Sequence, residues 1–184
     1  SRFNPLAFLA TAYVEILRST PVVVQVFIIY YGVFGIIDLP SFKMFGFIKF
    51  DRFFPGVVAL GMNSGAYLCE IIRAGIQSID GGQTEAARSL GLNSRQAMIH
   101  VVLPQAVKNI LPALCNEFVA IVKETSLAST FFIGELMTQF KTINGITFRV
   151  LEPLTIVGII YFLVTFVMSK LIALLERRMN ASER

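Results

Sequence analysis

Three stretches of this chain carry no charged side chain: Val22 to Ile37, Phe53 to Cys69 and Pro153 to Ser169. A 17-residue run makes roughly 25 Å of helix. That is close to the hydrocarbon thickness of a bilayer, about 30 Å, and flanking residues can extend it. One such run fits a buried core helix. Three of them in 184 residues cannot all be wrapped by the polar protein that remains. The predicted setting is therefore a membrane. The composition agrees, with only 15% charged residues against about 25% in a soluble domain.

Periodicity places the elements around these runs. From Pro5 to Arg18, Leu6, Leu9, Tyr13, Ile16 and Leu17 share one face, and Thr11, Glu15 and Arg18 another. That spacing suits a helix at the membrane surface. Thr20 is expected to cap the next helix, with Pro21 in its first turn. Four spans are expected, about 21–37, 53–74, 105–123 and 152–175. The third is the most polar, holding Lys108, Asn109, Pro112, Asn116 and Glu117. Residues 38–52 read as a loop, and the Phe-rich stretch 42–54 as an interfacial anchor. Residues 127–137 are apolar but too short to span, and suit a re-entrant or interfacial helix. A loop at Asn144-Gly145 is expected before the last span. The chain opens at Ser1 without a signal-peptide pattern, and a missing first span before residue 1 is expected.

Charge sets the orientation. With four spans, one side collects Arg2, Arg18, Arg73, Arg88, Arg95, Lys108, Lys170, Arg177, Arg178 and Arg184. The other holds Lys43, Lys49, Arg52, Lys141 and Arg149. Basic residues favour the cytoplasm, so the polar block between the second and third spans, and the C-terminus, are expected there. The net charge of +4 is scattered, without an aromatic stacking platform, and predicts no nucleic-acid partner. Cys69 and Cys115 fall in apolar segments and read as reduced core thiols. His100 is the one histidine, so no His-based metal cluster or triad is available. Gly56, Gly61 and Gly65 read as helix-packing positions.

The polar block, Gly81 to Ala106, is "GGQTEAARSLGLNSRQAMIHVVLPQA". Thr84 to Leu90 is a good helix former. Gly91 can end it in the left-handed conformation. Asn93 or Ser94 then caps a second helix through Leu103, and Pro104 is expected to punctuate it. Gly81-Gly82 reads as a turn. Small Ala86 and Ala87 permit close approach, and Glu85 and Arg88 offer charges across a contact. The block holds no nucleophile with a base and no GxxxxGK loop.

Glu85-Ala86-Ala87, then Gly91 after three intervening residues and Val101-x-Leu103-Pro104 after nine more resemble the "EAA" signature of permease subunits in ATP-binding-cassette importers. Val stands where the family has Ile. "RSTPVVVQVFIIYYG", "NSGAYLCEIIRAGI", "LPQA" and "VKETSLAS" resemble the branch that imports polar amino acids. The resemblance covers nearly the whole chain. It implies an all-α, polytopic membrane bundle of the type I importer kind, with a cytoplasmic coupling helix pair at about 80–104. It implies that Glu85, Ala86, Ala87, Arg88, Gly91, Leu103 and Pro104 form the coupling part, with Glu85 and the turn through Gly91 touching the ATPase. ATP would be bound by separate cytosolic ATPase subunits, leaving this chain without a cofactor and no enzyme. The usual five spans of this branch fit four here and one missing.

A charge inside a span costs about 2.5–3.5 kcal/mol on insertion scales. Asn63, Tyr67 and Glu70 follow helical spacing and form one stripe. Glu117 and Glu124 form a second, beside Lys123, with Thr125 and Ser126 where the helix is expected to break. The two stripes are expected to line a substrate path between two permease subunits, in a homodimer or heterodimer. Hydroxyls and cations suit an amino acid's carboxylate, and Glu its ammonium. Glu70–Arg73 and Lys123–Glu124 also read as structural pairs snorkelling to water, Arg73 above all. An extracytoplasmic solute-binding protein would dock on loops 38–52 and 126–150. An ion-coupled secondary transporter and a non-transporting membrane scaffold subunit are the alternatives.

Overall fold

The computed structural model of the chain describes residues 4–46, 48–131 and 133–181, with side chains as far as Arg177. Arg2, Arg184 and the side chain of Arg178, counted above for orientation, lie outside these. Helix α1 (Pro5–Ser19) is followed by α2 (Val22–Phe27), which continues as a π-helical stretch to Val33. A hairpin of β1 (Lys43–Met44) and β2 (Ile48–Lys49) leads into α3 (Phe50–Gln77). Next come α4 (Gly81–Ser89) and α5 (Ser94–Ala97), then a π-helical segment Met98–Val102 running into α6 (Leu103–Glu124). A 3₁₀ stretch Thr125–Phe131 follows, then α7 (Leu136–Thr147) and α8 (Leu151–Ala181).

Helix α3 is the centre of the bundle. Its 28 residues make a rod about 42 Å long. It buries Pro55, Gly56, Ala59, Asn63, Ser64, Ala66 and Gly75. Helix α6 lies antiparallel to it. Gly75 sits so tightly against Ile110 that a Cβ would meet Ile110 Cγ1 at 2.2 Å, and Asn109 Nδ2 donates to Ser78 Oγ at 2.8 Å. At the far end Gly56 lies against Ile133. Gly65 packs on Tyr13, but nothing lies within 4 Å of a Cβ at Gly61, so that glycine serves no packing contact within the chain. Tyr30 stacks on Phe131 with centroids 3.5 Å apart.

Among the described residues, Ser94–Phe131 and Leu151–Arg177 are long and apolar enough to cross a membrane. A third span results if the pair Pro5–Ser19 and Val22–Val33, bent by 112°, counts as one. Helix α3 has the length but a more polar sequence, and of its polar residues Asn63 and Ser64 are buried against neighbouring helices.

Several expected boundaries move. Thr20 does not cap α2. It is the C-cap of α1, and its Oγ1 donates to Ile16 O at 2.8 Å. The helix from Val22 ends at Val33, short of residue 37. Gly81-Gly82 is no turn but the first turn of α4, capped by Asp80, whose carboxylate accepts from Gly82 N at 2.6 Å. Pro104 does not end its helix. The π segment before it absorbs the missing N–H and the ring: Leu103 N reaches five residues back to Met98 O. Asn144-Gly145 lies inside α7, which Glu135 starts by accepting from Met137 N and Thr138 N. That helix stops at Phe148, in the left-handed conformation with φ 55°. Residues 38–52 are not all loop, since Lys43 pairs with Lys49 and Met44 with Ile48. Cys69 is exposed rather than a core thiol, while Cys115 is half-buried; both are free.

Candidate functional site

The elbow between α4 and α5 is built from local rules. Glu85, Ala86, Ala87 and Arg88 are helix formers. Gly91 takes φ +91°. Gly91 N donates to Arg88 O at 3.0 Å and Leu92 N to Ala87 O at 3.2 Å. These two bonds are a Schellman motif, which satisfies the last carbonyls of α4. A capping box restarts the chain: Gln96 N donates to Asn93 Oδ1 at 2.9 Å, and Asn93 N to Gln96 Oε1 at 3.0 Å. Gln105 Nε2, donating to Gln83 Oε1 at 3.4 Å, ties the elbow back to α6.

The elbow has an inner and an outer face. Ala87 is 4% exposed, so the room its small side chain gives is used within the chain. Glu85, Ala86 and Arg88 are exposed. Leu90, at the tip, is 86% exposed. The sequence reading passed over Leu90, although its place before the helix-ending glycine marked it. Leu103 and Pro104 follow the π segment directly, half-buried and exposed respectively.

The two polar stripes do not meet in one chain. On α3, the polar contacts of Asn63, Tyr67 and Glu70 run to α1, α2 and Arg73. Asn63 is 2% exposed and its Nδ2 donates to Gln25 Oε1 at 2.9 Å. Arg18 lies over the Tyr67 ring, 5.7 Å from its centroid. Glu70 pairs with Arg73 at 2.8 Å and with Arg18 at 3.2 Å. At the end of α6, Ala120, Lys123 and Glu124, with Ser126 of the following 3₁₀ stretch, line an open depression. Glu117 is half-buried on the same helix. Thr125 lines a separate cavity of about 310 Å³ with Gly56, Leu60 and Glu135.

Two further polar groups carry structure. Gln25, a lone amide in an apolar run, is 6% exposed and bonds α1, Thr20 and Asn63 together. Glu135 caps α7 and accepts from Tyr161 OH at 3.1 Å, joining it to α8. A single amide amid valines was the legible signal for Gln25. Glu135 had none beyond its place before a helix.

The similarities to known proteins agree with this architecture. The chain is 38% identical to the arginine transport system permease protein ArtQ of Bacillus subtilis, covering all of this chain and 80% of that one. It is 41% identical to the nopaline transport system permease protein NocM of Agrobacterium fabrum, over all of this chain and 76% of that one. A solved amino acid ABC transporter with histidines superposes with a TM-score of 0.86 at 44% identity, over 97% of this chain and 78% of that one. The all-helical bundle is thus of the type I importer permease kind. With residues 1–181 matching its pattern, the chain belongs to the family described as binding-protein-dependent transport system inner membrane component, and is a membrane transport subunit.

Proposed function

We propose that this chain is the permease subunit of an ATP-driven importer of polar amino acids. The observation that carries this reading is the elbow, exposed Glu85, Ala86, Arg88 and Leu90 around a glycine in the left-handed conformation. It projects a rigid, two-sided part to which a cytosolic ATPase can bind and push. The relatives named for arginine and nopaline transport support an amino acid cargo. Hydrolysis belongs to the ATPase partner. A solute-binding protein delivers cargo on the opposite side, and a second permease subunit completes the path. The elbow precedes α6, and α8 meets the far end of α6 through Tyr161 beside Thr125 and packs along α6, so its C-terminal end returns toward the elbow's side. By the distribution of basic residues that side is the cytoplasm.

The separate placement of the two stripes favours α6 as the path-lining helix. Asn63, Tyr67 and Glu70 are engaged with α1 and α2, whereas Lys123, Glu124 and Ser126 line an open depression at the end of α6, and half-buried Glu117 lies two turns before it on the same helix. Glu117→Gln is expected to lower uptake several-fold at unchanged thermal stability. Uptake assays beside thermal unfolding check this, and normal uptake removes Glu117 from the path.

Proteoliposomes holding this chain, its ATPase and its binding protein test the whole reading. Labelled amino acid should accumulate with ATP and stay outside with an ion gradient alone. Gradient-driven uptake would make the chain a secondary transporter; absence of flux under both would make it a scaffold.

A further inference from the structure

The hairpin of β1 and β2 has a feature that the transport role does not use. Lys43 and Lys49 are directly opposed partners. Phe50 N donates to Phe42 O at 3.0 Å, so residues 42 and 50 form a hydrogen-bonded pair. Antiparallel pairs alternate, which makes Lys43 and Lys49 the narrow, non-hydrogen-bonded pair, with Cα atoms about 4.5 Å apart. Directly opposed residues project on the same face. Two like charges so placed repel one another, and a shared anion relieves the repulsion. Both lysines are exposed, and among the described residues neither forms an ion pair, although Asp38 and Asp51 stand in the same segment.

The tip adds an apolar element. Phe45 takes φ 50° and is 83% exposed. Behind it the hairpin is held firmly. Phe42 stacks on Phe50 with centroids 4.8 Å apart, Phe50 on Phe54 at 5.3 Å, and Phe34 meets Phe54 edge-on at 5.5 Å. Exposed Ile36, Ile37 and Phe42 lie nearby in the chain. The hairpin sits at the start of α3, a helix about 12 Å longer than a bilayer's hydrocarbon core. That end therefore reaches headgroup depth, where aromatic side chains collect.

We propose that the hairpin is a binding site for an anionic phospholipid headgroup: Lys43 and Lys49 share one lipid phosphate while Phe45 is seated among the acyl chains just below. Charge complementarity and continuity with the membrane-embedded helices select lipid as the occupant. The remaining loop surface on this side is left to the solute-binding protein. The site rests on the membrane setting of the chain and not on its cargo.

The chain contains no tryptophan, so Phe45→Trp supplies a single reporter at the tip. The variant would be reconstituted in vesicles of phosphatidylcholine and phosphatidylglycerol, with bromine on the acyl chains of one lipid or the other. Brominated phosphatidylglycerol is expected to quench the reporter more strongly than brominated phosphatidylcholine at equal mole fraction. Lys43→Gln with Lys49→Gln in the same background should erase the preference. A lysine near an anionic surface contributes about fivefold in affinity, so the pair accounts for roughly 30-fold. Lys43→Arg with Lys49→Arg should keep it. Equal quenching by the two lipids, or a preference that survives Lys43→Gln with Lys49→Gln, overturns the site. A tip that neither lipid quenches, but that added binding protein shields from aqueous iodide, also overturns it and assigns the hairpin to an acidic protein surface. Because quenching needs neither ATP nor cargo, the outcome is separable from the fate of the importer reading.

Discussion

Gly91→Val is expected to cut ATP-driven uptake at least tenfold while the chain still inserts and unfolds at its normal temperature. The strain is confined to the backbone. Gly91 has φ +91°, and a Cβ there meets nothing within 4 Å. An L-residue in the left-handed region costs roughly 1–2 kcal/mol, and a β-branched one fits it worse still. That is about a 5–30-fold loss of the elbow conformation. The Schellman bonds from Gly91 and Leu92 would be the first to go, which swings Leu90 and Glu85 away from their present positions. The buried anchors on either side, Ala87 in α4 and Ala97 in α5, are not themselves altered. Uptake and ATPase activity of the reconstituted complex measure the effect: hydrolysis should persist without transport. Gly91→Asn separates conformation from size. Asparagine tolerates the left-handed region, so it should restore much of the uptake that valine removes. A valine variant that transports at the normal rate would leave the elbow without a coupling role.

How much of this was legible in the sequence depends on whether the cause was local. The elbow was: Gly91 as the left-handed stop and Asn93 or Ser94 as the cap follow from short-range chemistry, and the structure has Gly91 left-handed and Asn93 as the cap. The failures come from long-range competition. Pro104 reads as a helix end only if the chain cannot rewind. The π segment Met98–Val102 lets it do so, and no single-residue preference announces that. Thr20 offers a hydroxyl to either helix, and the carbonyl of Ile16 wins it. Asn144-Gly145 is a turn signal that a well-capped helix overrides, with the end displaced to Phe148. On α3, spacing alone put Asn63, Tyr67 and Glu70 on one face, which the structure keeps. What that face meets could not be read from spacing, because it depends on α1 doubling back through the 112° bend. Thus periodicity yields faces, while their partners require the fold.

One amide clasps the bend, and removing it is expected to destabilise the chain strongly. Gln25 Nε2 lies 2.6 Å from Leu17 O, 3.0 Å from Thr20 O and 2.8 Å from Thr20 Oγ1. Its Oε1 accepts from Asn63 Nδ2. The first two acceptors are carbonyls at the end of α1, where no further turn of helix supplies donors. Two N–H groups therefore close α1, and the oxygen fastens the closed corner to α3. Gln25→Leu keeps the volume and removes every one of these bonds. Each buried group left unpaired costs about 1–3 kcal/mol. A sum near 3 kcal/mol lowers the melting temperature by roughly 10 °C for a chain of this size. Thermal unfolding in detergent measures it, and a fall under about 2 °C, well below that shift, would show the clasp to be dispensable. A double-mutant cycle with Asn63→Ala then assigns Asn63. If Asn63 belongs to the clasp, the two changes share about 1 kcal/mol or more of coupling, and its uptake defect follows its lost stability. If instead it touches cargo, Asn63→Ala lowers uptake at full stability and the cycle closes with no coupling. The clasp is the stronger expectation, because the Asn63 side chain is already buried against Gln25 before any cargo arrives.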